Sequence, residues 1–133
     1  MREAGLKMLG AKAGQSVLEI GFGTGHCLVD LAGAVGPDGK VLGIDISENM
    51  RDVAEKRLAE KQLADRAVLQ CGDAATLPYD SHSLYAMFAS FVLELFDTPD
   101  LPRVLAEWRR LLKPAGRFIF AARWRRPASK SAR

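Results

Sequence analysis

Nine consecutive residues, Val17-Leu18-Glu19-Ile20-Gly21-Phe22-Gly23-Thr24-Gly25, restrict the fold of this chain more than any other stretch. A short apolar run passes into three glycines at alternate positions, and an apolar pattern of helical spacing begins near His26. That order is a strand, a tight turn and a helix start. Glycine reaches positive φ without a Cβ clash and lets another molecule lie against bare backbone. The amides that open the helix, at the positive end of its dipole, suit a carboxylate or a phosphate. The turn is therefore a candidate ligand platform.

The rest of the chain repeats the alternation. Leu28, Leu31, Ala32 and Val35 share one helical face until Gly36-Pro37-Asp38-Gly39 stops it. Lys40 to Asp45 reads as a second strand with Asp45 at its carboxyl end, and Ser47 as the cap of a helix running to about Lys61 with Met50, Val53, Ala54 and Leu58 at helical spacing. Ala67 to Cys71 reads as a third strand closed by Gly72-Asp73, and Leu84 to Phe91, almost wholly apolar, as a fourth strand covered on both faces. Thr98-Pro99 opens a helix striped by Leu101, Val104, Leu105, Trp108, Leu111 and Leu112. Lys113-Pro114-Ala115-Gly116 ends it, and Arg117 to Ala122 makes a fifth strand. Strands alternating with helices predict an α/β fold, a doubly wound parallel sheet with right-handed crossovers. Ligands of such sheets sit outside the carboxyl ends of the strands, near the switch in strand order. In the order 3-2-1-4-5 the glycine turn, Asp45, Gly72-Asp73 and the segment from Ala89 to Glu94 would share one rim.

Two ligand classes compete for the turn. A dinucleotide fingerprint needs a third glycine or alanine three residues after Gly23, and His26 stands there. The pattern present is Glu-x-Gly-x-Gly-x-Gly, and with Gly43-Ile44-Asp45-Ile46-Ser47, Gly72-Asp73-Ala74 and Arg109-Arg110-Leu111-Leu112-Lys113-Pro114-Ala115-Gly116-Arg117 it resembles the successive motifs of class I S-adenosylmethionine-dependent methyltransferases. The likeness runs from about Ala11 to Ala122 and is nearest to the ubiquinone/menaquinone C-methyltransferase group of small-molecule enzymes. It implies a Rossmann-like sheet and S-adenosylmethionine as cofactor. It also implies roles along the rim. Glu19 would orient the amino-acid end of the cofactor, Gly21 and the Ala89 carbonyl would hold its ammonium, and Phe22, Gly23, Gly25 and Ser90 would complete that side. Asp45, 24 residues after Gly21, would accept from both ribose hydroxyls. Ile46 and Met50 would flank the adenine, although Met50 fits the core equally well by its helical spacing. Gly72, Asp73 and Ala74 would meet the adenine edge.

Methyl transfer from a sulfonium is an in-line displacement that depends on alignment and needs no metal. A base is needed only for a weakly acidic acceptor. His26, His82, Glu94 and Asp97 are the candidates for such a base, and none is assigned as catalytic. Methyltransferases of nucleic-acid amines resemble this fold but carry an Asn/Asp-Pro-Pro-aromatic sequence after the fourth strand. Here the stretch is Ala89-Ser90-Phe91-Val92, which disfavours nucleic acid and favours a small, partly apolar acceptor.

The resemblance has three gaps: Leu84-Tyr85 stands where the family has an aromatic-aspartate pair, the segment before the first strand is short, and the family's last two strands have no counterpart after Trp124. The expected product is either an enzyme with an open acceptor site or a shortened, catalytically weak cofactor-binding or protein-interaction module. An exposed fifth-strand edge makes a homodimer an expectation. The 133 residues, 48% of them hydrophobic and 26% charged, suit one domain over 1–122. No apolar run is long enough for a membrane span and no signal segment is evident, so a cytoplasmic protein is expected. Cys27 and Cys71 lack metal or disulfide spacing and read as reduced packing thiols. The net charge of +3 comes from residues 123–133, which hold five basic residues and no acid and read as a solvated tail.

Overall fold

A computed structural model describes residues 10–73, 76–89 and 101–120. The elements in chain order are β1 (Ser16–Ile20), α1 (His26–Val35), β2 (Lys40–Asp45), α2 (Glu48–Glu60), a 3₁₀ turn (Ala64–Arg66), β3 (Ala67–Cys71), β4 (Leu84–Ala89), α3 (Leu101–Leu111) and β5 (Leu112–Phe120). The five strands form one sheet in the order β3-β2-β1-β4-β5, and every pairing is parallel. The chain reverses its direction of travel across the sheet between β1 and β4, and a crevice forms at that switch.

Apolar residues occupy both faces of the central strands, as a sheet covered on both sides requires. Val17, Val41, Ala86 and Phe88 turn to one face, where Leu28, Leu31, Ala32 and Val35 of α1 and Ala54 and Leu58 of α2 cover them. Leu18, Ile20, Ile44, Met87 and Ala89 turn to the other, where Val104, Trp108 and Leu111 of α3 meet them together with Leu77 from the loop after β3. Trp108 is wholly buried and packs edge-on to Phe118, ring centroids 5.5 Å apart.

The structure departs from expectation at three points. Helix α3 stops at Leu111, and Leu112 already pairs with Leu84. The next pair is Ala86 with Arg117, so Lys113 to Gly116 bulge out of the ladder where a separate turn was expected. The bulge brings the Lys113 ammonium 5.5 Å from the ring centre of partly exposed Tyr85. The stripe of α2 is also narrower than its spacing suggested, since Ala54 and Leu58 are buried while Val53 and Met50 are 43% and 36% exposed. Met50 is thus not core. The cap and strand ends expected at Thr98-Pro99, at Phe91 and at Ala122, and the tail from 123, lie outside the described residues. Among the described residues no helix is long and apolar enough to cross a membrane, and both cysteines are free.

Candidate functional site

The glycine turn folds as its composition demands. Gly21, Gly23 and Gly25 all have positive φ, at 74°, 57° and 93°. Gly25 caps α1 without a side-chain hydrogen bond, as a residue with no side chain must. Its place also excludes a side chain, because a Cβ there would lie 2.9 Å from the Cβ of Ala54. Gly23 differs: a Cβ on it would meet nothing within 4 Å, so its backbone borders open space. Helix α2 braces the turn further, with Arg57 Nε donating to the Thr24 carbonyl at 2.9 Å.

Phe22 sends its ring into the core beside Leu28 and Leu69, and Gly43 makes room, since a Cβ there would stand 2.9 Å from the ring. What Phe22 offers the rim is backbone. Glu19, near the end of β1, is the one charged residue buried among those described, 1% exposed. Its position, two residues before Gly21, sets it beside the turn.

Asp45 joins the turn to its neighbours. The Gly23 amide donates to Oδ2 at 2.9 Å and the Ser47 amide to Oδ1 at 3.0 Å. The backbone carbonyl of Asp45 accepts from Gly72 at 2.9 Å, and Gly21 donates to Ile44 at 2.8 Å, so both ladders continue one residue past the strand ends. Ser47 caps α2 as expected, accepting from the Met50 amide at 3.2 Å. Each Asp45 oxygen retains a lone pair, so the brace and a ligand can share the carboxylate. The aspartate is brace and candidate ligand group together.

On the far side Ile46 is 80% exposed and Met50 36%, two apolar side chains presented to solvent just beyond Asp45. Asp73 is exposed at the end of β3. Ala89 ends the described part of β4 opposite Ile20 and is buried; Ala74 and Ser90 lie outside the described residues, as do Glu94 and Asp97. His26 and His82 are exposed. Bare backbone beside open space, uncapped helix amides, strand-end acids and exposed apolar side chains suit an amino acid joined to a nucleoside. Among the described residues no group of three or more His, Cys, Asp or Glu could hold a metal ion.

Four residues support the rim through bonds that the sequence did not indicate. Besides Arg57, they are Cys71, whose thiol donates to the Ile46 carbonyl at 3.1 Å, and the pair Glu107 and Arg110 on α3. Arg110 Nε meets Glu107 Oε1 at 2.9 Å, and Glu107 Oε2 accepts from the Leu77 amide at 3.0 Å. First the Arg110 hydrogen bond and then the Leu77 amide hold the Glu107 carboxyl below its ordinary range. The i,i+3 spacing signals the pair, but not its attachment to a loop 30 residues earlier.

This strand order with a glycine turn and strand-end acids on one rim defines the methyltransferase class of α/β domains. Residues 17–116 match the family described as a methyltransferase domain. The chain belongs to that family. It is 40% identical over 86% of its length to the demethylmenaquinone methyltransferase of Lactococcus lactis, of which it covers 44%, and 37% identical over 81% to that of Symbiobacterium thermophilum, of which it covers 42%. It thus spans less than half the length of these relatives. A SAM-dependent methyltransferase from Aquifex aeolicus superposes with a TM-score of 0.73 at 29% identity, over 85% of this chain and 58% of that one.

Proposed function

We propose that the chain binds S-adenosylmethionine along this rim and forms the donor half of a methyltransferase acting on a small molecule. One observation carries the reading: the ends of β1, β2 and β3 bring the glycine turn, Asp45 and Asp73 side by side, with Asp45 bonded to the turn on one side and to the start of α2 on the other. Bound there, the cofactor would supply an electrophilic methyl for in-line transfer. Gly21, Gly23, the α1 amides and Glu19 would hold its amino-acid end. Asp45 would take the ribose hydroxyls, Ile46 and Met50 would flank the base, and Gly72, Asp73 and Ala74 would read its edge. The Ala89 carbonyl would share the ammonium with Gly21, and Ser90 would complete that side. Fixing the donor in this way removes freedom that an encounter in water would retain.

The quinol-methylating names of the relatives suggest a partly apolar, hydroxylated aromatic acceptor, and the residues 89–92 argue against a base amine. Cytoplasmic placement and pairing of two copies through the β5 edge belong to the same proposal. Titration calorimetry tests the donor site: Asp45→Ala, folded by circular dichroism, should lose at least about tenfold in affinity, as expected for a hydrogen bond to a charged group of roughly 1.5–3 kcal/mol. Unchanged affinity, or a wild-type chain that ignores the donor at millimolar concentration, would overturn the reading. Turnover with a panel of quinols and catechols tests the acceptor class.

A further inference from the structure

The connection from β3 to β4 has an unusual support. Its described residues, 76–83, carry neither helix nor strand, yet Leu77 is buried against α3 and the sheet. The support comes from one turn of α3. Arg110 donates through Nη2 to the Leu77 carbonyl at 3.3 Å and through Nη1 to the Tyr79 carbonyl at 3.1 Å and Ser81 Oγ at 3.0 Å. Its carbonyl accepts from the His82 amide at 2.9 Å. Glu107 Oε2 accepts from both Leu77 N and Arg110 Nη2, each at 3.0 Å, so the amide and the carbonyl of Leu77 are both held by this pair. The guanidinium is held flat by the carboxylate fork, which aims its remaining donors at the loop.

Leu77 lies one residue after Thr76, whose amide closes a turn onto the Asp73 carbonyl at 3.2 Å. Asp73 is therefore fixed from two directions: from β3, where Gly72 continues the ladder to Asp45, and from Leu77, where α3 grips the chain. We propose that Glu107 and Arg110 are positioning residues for the Asp73 end of the rim. They set the affinity for the nucleoside half of the methyl donor without touching it, an inference that rests on the donor site proposed above.

The experiment uses the full chain and two ligands that share the nucleoside, S-adenosylhomocysteine and 5′-methylthioadenosine, which lacks the amino-acid end. In Glu107→Ala both affinities should fall by the same factor, about five- to tenfold, by titration calorimetry. Glu107→Gln, which keeps an oxygen able to face Leu77, should recover part of that loss. Amide hydrogen exchange of the ligand-free variant should quicken at residues 72–82 and stay unchanged at Gly21 to Gly25. A lower melting temperature with both affinities intact would make the pair merely structural and overturn the proposal, as would a loss confined to S-adenosylhomocysteine. A wild-type chain that binds neither ligand overturns the donor site itself and this proposal with it. Wild-type binding with unchanged Glu107→Ala affinities overturns the pair alone.

Discussion

The two ends of the rim are held by different balances of packing and polar bonds. The glycine turn is held largely by shape: it presses against Ala54 of α2 with no space for a methyl group at Gly25, and hydrogen bonds of Gly21 to Ile44, of Gly23 to Asp45 and of Arg57 to Thr24 add to that contact. The loop beyond Asp73 is held by polar bonds, since Glu107 and Arg110 between them bind the backbone of Leu77, Tyr79 and His82. Close packing tolerates no change of volume, whereas a half-exposed ion pair yields to acid, salt or a single amide substitution. The end expected to meet the amino-acid part of the donor is therefore rigid by construction. The end expected to meet the base is adjustable.

The largest effect should come from breaking the packed end. Gly25→Ala combines a φ of 93° with a Cβ overlap against Ala54 and should cost about 3 kcal/mol in urea denaturation, from backbone strain of roughly 1–3 kcal/mol together with overpacking of similar size. Gly14→Ala is the control. Its φ is 84° but its Cβ would meet nothing within 4 Å, so only the strain, about 1 kcal/mol, should appear. Equal costs at the two positions would deny that shape holds the turn. A middling effect is expected from Arg57→Met, which keeps the aliphatic stem and removes the bond to Thr24. It should cost about 1 kcal/mol in the same measurement, less than Gly25→Ala.

The smallest effect sharpens the polar end. Because Arg110 and the Leu77 amide lower the Glu107 pKa on folding, the stabilisation is fully present above the ordinary glutamate range, near 4.5, and is lost as the pH falls through the lowered folded value. Glu107→Gln should flatten the acid limb of a plot of melting temperature against pH, by a modest amount for so exposed a pair. An unaltered slope would mean that the pair does not fasten the loop in solution.

The positions legible in the sequence are those where one residue type answers a local need. Glycines that adopt positive φ, Asp45 ending a strand, Ser47 capping α2 and the apolar face of α1 each follow from neighbours within a few residues, while alternation of elements implied a parallel sheet and the family resemblance its order. The bulge of Lys113 to Gly116 was not legible, because a Pro-Gly segment reads equally well as a turn and only pairing with β4 decides between them. Met50 kept helical spacing with Ala54 and Leu58, but α2 buries a narrower strip than periodicity implies. The bonds of Arg57 to Thr24 and of Glu107 to Leu77 join residues 33 and 30 apart, and no local pattern pairs such positions.

The amides of Gly23 and Ser47 leave the Asp45 carboxylate no freedom to swing aside. An anion arriving at the centre of the cleft would meet a fixed negative charge at close range. On the donor site proposed above, a sugar carrying a 2′-phosphate would be repelled there, and one bearing two free hydroxyls would donate to the carboxylate. The charge behind such a selection would belong to Asp45, and its orientation to two main-chain nitrogens.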